Sequence, residues 1–314
     1  SSGIFASPSA YALIKPDNKL VKIPDINQPS VWNNISWWQP ETFLDLADFV
    51  GGDFSTLYAI SSEDNKFFAI DTLSGKKKWI TNLDLPEGTR FVGLTGTPEG
   101  TLYGLIASGL DYSLAKVDIN TGDIDNIGLL SGVNYGEDLA YNTYDERIYI
   151  LDQFTPSLFK VNPETAAIEA TIDLDRDMNT YYNNALDFEE DSGHLFWAYS
   201  TGNRNVESEM RVINIQSGTT TIIEKFQGGE VISSLAFPTG PTSDVPWLSE
   251  EPLIGIVAPD EEAMVSVTFG PSGLDVGEYH ATLRVKSLTI PGIDVPVVLH
   301  VTEYPKLYLP MIEK

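Results

Sequence analysis

Cysteine is absent from the 314-residue chain, which excludes disulfides, thiolate metal sites and cysteine nucleophiles. Histidine occurs three times and Lys plus Arg 19 times, against 45 Asp and Glu, for a formal net charge of −26. A surface of that sign repels DNA, RNA and anionic membranes, because binding them needs Lys and Arg to displace condensed counterions. The expectation is therefore no nucleic-acid partner. No run of about 18 apolar residues occurs, so no membrane insertion is expected either. The sequence opens Ser1-Ser2-Gly3 without a charged segment followed by an apolar one. That start suits a mature product whose signal has been removed, or a protein never exported.

Hydrolytic signatures are missing too. There is no Gly-x-Ser-x-Gly elbow, no His-Glu-x-x-His pair and no phosphate-binding Gly loop. His194 falls in a hairpin, while His280 and His300 fall on outward positions of alternating strands, where surface residues outnumber metal ligands. Paired carboxylates for glycoside hydrolysis need separations that a sequence does not supply.

What is present is a unit of about 45 residues, repeated imperfectly to about residue 240. Leu57-Tyr58-Ala59-Ile60 leads to Phe68-Ala69-Ile70-Asp71-Thr72-Leu73-Ser74-Gly75, and Leu102-Tyr103-Gly104-Leu105 leads to Val117-Asp118-Ile119-Asn120-Thr121-Gly122. Ile148-Tyr149-Ile150 leads to Val161-Asn162-Pro163-Glu164-Thr165, and Leu195-Phe196-Trp197 leads to Ile213-Asn214-Ile215-Gln216-Ser217-Gly218. A period of this size built from short strands predicts a β-propeller. The Asp/Asn-x-x-Thr/Ser-Gly segments are read as turns, since Asp and Asn cap through their side chains and Gly takes positive φ. The N-terminal segment supplies three strands but no innermost one, and Val231 to Phe237 supplies the missing piece. The expected fold is all-β: a five-bladed β-propeller over residues 1–240, with its first blade closed by residues 230–238. Six blades follow instead if Asp45 to Gly52 forms an extra degenerate blade.

After residue 240 the period becomes two. Met264 to Phe269, Tyr279 to Lys286 and Val295 to Thr302, with Leu253 to Val257, predict a small immunoglobulin-like β-sandwich over 245–303. An extended tail follows over 304–314.

The ordered series Asp244-Val245-Pro246-Trp247-Leu248-Ser249, Val265 to Phe269, Gly277 to Leu283 and Val295-Pro296-Val297 resembles the immunoglobulin-like repeat of large secreted bacterial proteins, including C-terminal regions of subtilisin-like serine proteases. The propeller repeat resembles accessory propellers found beside that module. The tail Tyr304-Pro305-Lys306-Leu307-Tyr308-Leu309-Pro310 resembles the Tyr-Leu-Pro ending of exported proteins from Chloroflexi-type bacteria. These resemblances imply an extracellular or cell-surface location, and they carry over no catalytic residue.

Two candidate sites remain. Loops entering the innermost strands converge at one mouth of a propeller channel. They carry Trp37, Trp38, Arg90, Phe91, Tyr135, Glu137, Tyr181, Tyr182, Asn183 and Glu230. Aromatic planes interspersed with amide and charged groups suit a glycan or a peptide ligand; the competing reading is that the aromatics pack the blade interfaces. Asp173, Asp175, Asp177 and Asn179 resemble the start of a calcium-binding EF-hand loop, but Met178 and Asn184 stand where Gly and Glu are needed. Calcium there competes with a plain polar strand face. The functions expected are a non-catalytic adhesion or targeting module, cleaved or not from a larger exported precursor; a hydrolase or lyase with its pocket at the mouth; or a structural subunit that self-associates through the tail.

Overall fold

In a computed structural model the chain divides into two compact units, residues 1–240 and 241–314. The residues described are 8–39, 42–51, 54–175, 184–189, 192–201, 207–227 and 230–238 in the first unit. In the second they are 247–251, 262, 264–270, 274, 276–285 and 293–302. No helix occurs among them.

The first unit is a five-bladed propeller. Blade 1 begins with β1 (Ala10–Lys15), β2 (Lys19–Ile23) and β3 (Asn33–Trp37). Blade 2 is β4 (Leu46–Phe49), β5 (Thr56–Ser61), β6 (Lys66–Asp71) and β7 (Lys77–Asn82). Blade 3 is β8 (Thr89–Gly96), β9 (Leu102–Ser108), β10 (Asp111–Val117) and β11 (Ile124–Leu129). Blade 4 is β12 (Gly136–Asn142), β13 (Arg147–Asp152), β14 (Ser157–Val161) and β15 (Ile168–Asp173). Blade 5 is β16 (Asn184–Glu189), β17 (His194–Thr201), β18 (Glu207–Ile213) and β19 (Thr220–Gln227). The last strand, β20 (Val231–Ala236), pairs antiparallel with β1 and gives blade 1 the order β20-β1-β2-β3. Residues Leu46–Phe49 are the innermost strand of blade 2, which leaves no extra blade.

Burial follows position in the blade. The innermost strands β4, β16 and β20 are buried along their whole length, whereas the outermost β7, β11 and β15 are half-exposed to exposed. Five hydrophobic clusters fill the gaps between neighbouring sheets, one at each blade interface. A closed ring of this kind leaves only short outer edges open to aggregation.

The repeated turns behave as read. Asp71 Oδ1 accepts from Ser74 N at 2.7 Å, and Asp118 Oδ1 accepts from Asn120 N and Thr121 N at 2.8 and 2.9 Å. Asn214 repeats the pattern with Gln216 N and Ser217 N. The closing glycines Gly75, Gly122 and Gly218 have φ of 66°, 77° and 72°.

In the second unit β21 (Leu248–Glu251) pairs with β22 (Ser266–Phe269), and β23 (Gly277–Val285) pairs with β24 (Ile293–Val301). Their register sets Tyr279 opposite Leu299, Ala281 opposite Val297 and Leu283 opposite Val295. Trp247 stacks on Phe269 at 6.4 Å and meets Tyr279 edge-on at 6.3 Å. Residues 252–261, which include the expected strand at 253–257, and the tail from 303 onward lie outside the described residues.

Candidate functional site: the channel mouth

A girdle of short polar side chains ties each innermost strand to the next. Ser234 Oγ, on β20, accepts from Ala47 N at 2.9 Å and lies 2.8 Å from Ala47 O. Asp48 Oδ2 accepts from Gly96 N and Thr95 Oγ1 at 2.7 and 3.1 Å. Thr95 Oγ1 in turn accepts from Tyr141 N at 3.0 Å. Asp138 Oδ2 accepts from Leu186 N at 2.8 Å, and Asp187 Oδ2 accepts from Phe237 N at 2.7 Å. The circuit is thus complete: one link per interface, five links in all. Burial raises the Asp48 carboxyl to about 7, against the pull of Gly96, Phe49 and Thr95, and it raises Asp138 well above the ordinary carboxylate range. These carboxyls are committed to backbone amides, which marks them as structural.

Below the girdle the channel narrows to about 20 Å³ between Phe49, Tyr141, Phe188 and Phe237, one aromatic from each of four blades. That is room for roughly one water molecule. Above it the channel opens into a cavity of about 270 Å³. Asp45, Val92, Glu137, Asn184 and Ser233, one residue from each blade entry, line this mouth.

Three of the five sit on β-bulges. Glu137 falls between the pairs Gly136–Asp152 and Asp138–Leu151, Val92 between Phe91–Ile106 and Gly93–Leu105, and Ser233 between Leu13–Ser234 and Ile14–Ile232. A bulge adds an unpaired residue and re-aims its side chain, a device common beside functional sites.

The mouth is held from behind. Trp197 Nε1 donates to Asn184 Oδ1 at 3.0 Å, which leaves the Asn184 amide nitrogen to meet Glu137. Asp152 is fully buried and accepts from Asn134 N, Tyr135 N, Phe154 N and Thr155 N at 2.6–3.1 Å, fixing the loop that carries Tyr135 into Glu137. Asp45 accepts from Ser62 N at 2.8 Å and pairs with Lys15 at 3.4 Å. The Arg90 guanidinium, by contrast, has no hydrogen bond or ion pair among the described residues. Burial pushes the Glu137 carboxyl up to about 7; its bond to Asn184 and the charge of Arg90 oppose this, and Asp152 adds to it. Burial, with the charge of Glu137 next, also raises the Tyr112 phenol.

Arg90, Tyr135 and Glu137 all line this mouth. Phe91 touches the cavity, but it is 0% exposed and its ring fills the core between blades 2 and 3, so it offers no face for stacking. The cause is the strand period: beside exposed Arg90, the next side chain turns to the blade interface. Trp37 and Trp38 lie elsewhere, around a groove of about 360 Å³ with Pro16, Asp17 and Gln39. Trp37 is 75% exposed, while Trp38 is half-buried between blades 1 and 2, donates to Gly75 O at 3.0 Å and carries Lys77 above its ring at 5.0 Å. Glu230 is taken up by Lys19, which also holds Asp17 at 3.2 Å. Tyr181, Tyr182 and Asn183 lie outside the described residues.

Sequence reasoning missed Lys15, Asp45, Ser62, Val92, Tyr112, Asn184 and Ser233. The signal for five blade-entry positions was available, since they fall one repeat apart, but their residue types share nothing.

Asp173 ends β15 exposed, and Asp175 Oδ1 already accepts from Thr220 N at 3.0 Å. Asp177 and Asn179 lie outside the described residues, among which no group of three His, Cys, Asp or Glu is placed to hold a metal. His300 Nδ1 lies 3.3 Å from Glu278, its register partner, while His280 is paired in register with Val298.

No known protein family matches the chain, and no curated protein matches its sequence. Solved structures do. A protein of unknown function from Bacteroides caccae is 9% identical over 73% of this chain and 98% of its own, with a TM-score of 0.43. A chain from a nidogen/laminin complex is 9% identical over 74% and 98%, with a TM-score of 0.46. A streptogramin B lyase is 15% identical over 67% and 62%, with a TM-score of 0.41. The blades and their girdle define the class, a five-bladed β-propeller with a polar, pre-formed mouth.

Proposed function

We propose that this protein is a non-catalytic binding module, working at the cell surface or outside the cell, whose propeller mouth takes a polar group of a glycan or peptide. Adhesion and the targeting of a larger exported precursor are the roles that fit such a module. The location rests on the resemblance of the last quarter of the chain to secreted immunoglobulin-like repeats. The binding site rests on one observation: the polar groups of the mouth are oriented from behind by Trp197, Asp152 and Ser62, while Arg90 faces the cavity uncommitted. Groups held in place before a ligand arrives lose little freedom on binding it. A solvated acidic surface has no use for such support. Glycan and peptide arrays probed with the full chain test this reading. Ligands retained by wild type and lost by Arg90→Ala, at an unchanged melting temperature, support it; identical retention by both proteins sinks it.

A hydrolase or lyase reading of the same mouth draws on a separate observation, the Glu137 carboxyl raised to about 7 inside a cleft, where a general acid or base belongs. Glu137→Gln decides between them: a binding module keeps its array hits, and an enzyme loses turnover of whatever it binds.

A further inference from the structure

The uncommitted groups of the mouth have one sign of preference. Lys15 and Ser62 are spent on Asp45, Ser233 Oγ donates to Leu13 O at 3.2 Å, and the Asn184 side chain is shared between Trp197 and Glu137. What faces the cavity without such a commitment is the Arg90 guanidinium, from β8, and the Tyr112 hydroxyl, from β10. Both donate, and a guanidinium offers a planar fork matched to a carboxylate. Phosphate and polyanions are a poor match, since the other lining cation, Lys15, is paired with Asp45 and the chain as a whole carries a formal charge of −26.

Resting on the binding function above, we propose that the mouth recognises a single carboxylate, held by Arg90 and Tyr112, with Glu137 in its neutral form as the third donor. Glu137 is faced by Arg90 from β8, Tyr112 from β10, Asp152 from β13, Tyr135 from its own approach loop and Asn184 from β16. An anion seated on Arg90 removes the one cation that favours ionised Glu137 and adds a negative charge beside it. Both changes favour the protonated carboxyl. Ligand binding therefore takes up a proton, and affinity falls by up to about tenfold for each pH unit above neutrality, as linkage to one proton requires. A uronic-acid residue and a peptide C-terminus are the two sources of such a carboxylate.

Calorimetric titration of the full chain tests the proposal with galacturonate and N-acetylalanine, each beside its neutral counterpart, galactose and N-acetylalanine amide, at pH 5.5, 7 and 8.5. The expected result is binding of at least one acid, tenfold or more over its neutral partner, weakening as pH rises. Whichever acid binds identifies the source. Arg90→Ala should abolish that binding, and Glu137→Gln, which keeps a donor, should bind with a flat pH profile. Equal binding of acid and neutral partner, or affinity that grows with pH, overturns the carboxylate proposal while leaving the mouth as a binding site. Silence towards all four probes, with array ligands still lost in Arg90→Ala, likewise overturns only the carboxylate; array ligands indifferent to Arg90→Ala overturn the mouth itself.

Discussion

At the scale of single residues, the molecule uses buried charge in two different ways. Glu209, 2% exposed, holds the Arg211 guanidinium at 2.8 Å and Lys225 at 2.9 Å across blade 5. Removing one partner of such a group strands the other in the interior, so Glu209→Ala should cost about 3–5 kcal/mol by denaturant titration. Asp187 serves backbone instead: its oxygens accept from Phe188 N at 2.8 Å and from Phe237 N at 2.7 Å. Asp187→Ala leaves two buried amides unpaired, at about 1–3 kcal/mol each. Neither role was legible in the sequence. Asp48, Asp138 and Asp187 stand among 45 acidic residues, and nothing in composition separates a girdle Asp from a surface one. The signal that separates them is strand phase, visible only once the blades are aligned.

Elements show where legibility was high and where it stopped. Strand order, blade number and the closure by β20 followed from period-two patterning and from the missing fourth strand of blade 1. The turns were legible as turns but not as joints. A Cβ on Gly218 would stand 1.8 Å from Asp173 O, and one on Gly75 would stand 2.1 Å from Ser36 Cβ, so each turn nests on the outer strand of the preceding blade. Blade 4 reverses the arrangement: Ala166 takes φ of 56° in its turn, and Gly128 on blade 3 makes the room. Gly218→Ala should therefore destabilise by about 2 kcal/mol or more, combining the left-handed backbone cost with the clash. Gly88→Ala, where nothing lies within 4 Å although φ is 78°, isolates the backbone cost for comparison. The candidate site was half legible for the same reason. Arg90 and Glu137 stand at the starts of recognisable innermost strands and Tyr135 in the loop just before one, whereas the bulges that aim Val92, Glu137 and Ser233 leave no mark in hydropathy.

For the molecule as a whole, the raised carboxyls set a direction of pH dependence. Asp48 and Glu137 titrate near 7 folded, against about 3.9 and 4.3 in an unfolded chain. The folded state binds the extra protons, so their stabilisation is present at low pH and is lost as pH rises through about 7. Melting temperature should climb as pH is lowered from 8 towards 5. Relief of repulsion in a chain of charge −26 acts in the same sense. Glu137→Gln separates the two, since it should flatten the slope near neutrality without touching the global term.

The strand that closes the ring has a consequence in time as well as in space. Ser233 bonds Leu13 across 220 positions of sequence, so blade 1 stays one strand short until nearly the whole propeller has left the ribosome. Contacts that distant make folding slow. Until β20 arrives, the free edge of β1 is a vacancy that another copy's β20 fits equally well, and crowded synthesis should yield interlocked dimers.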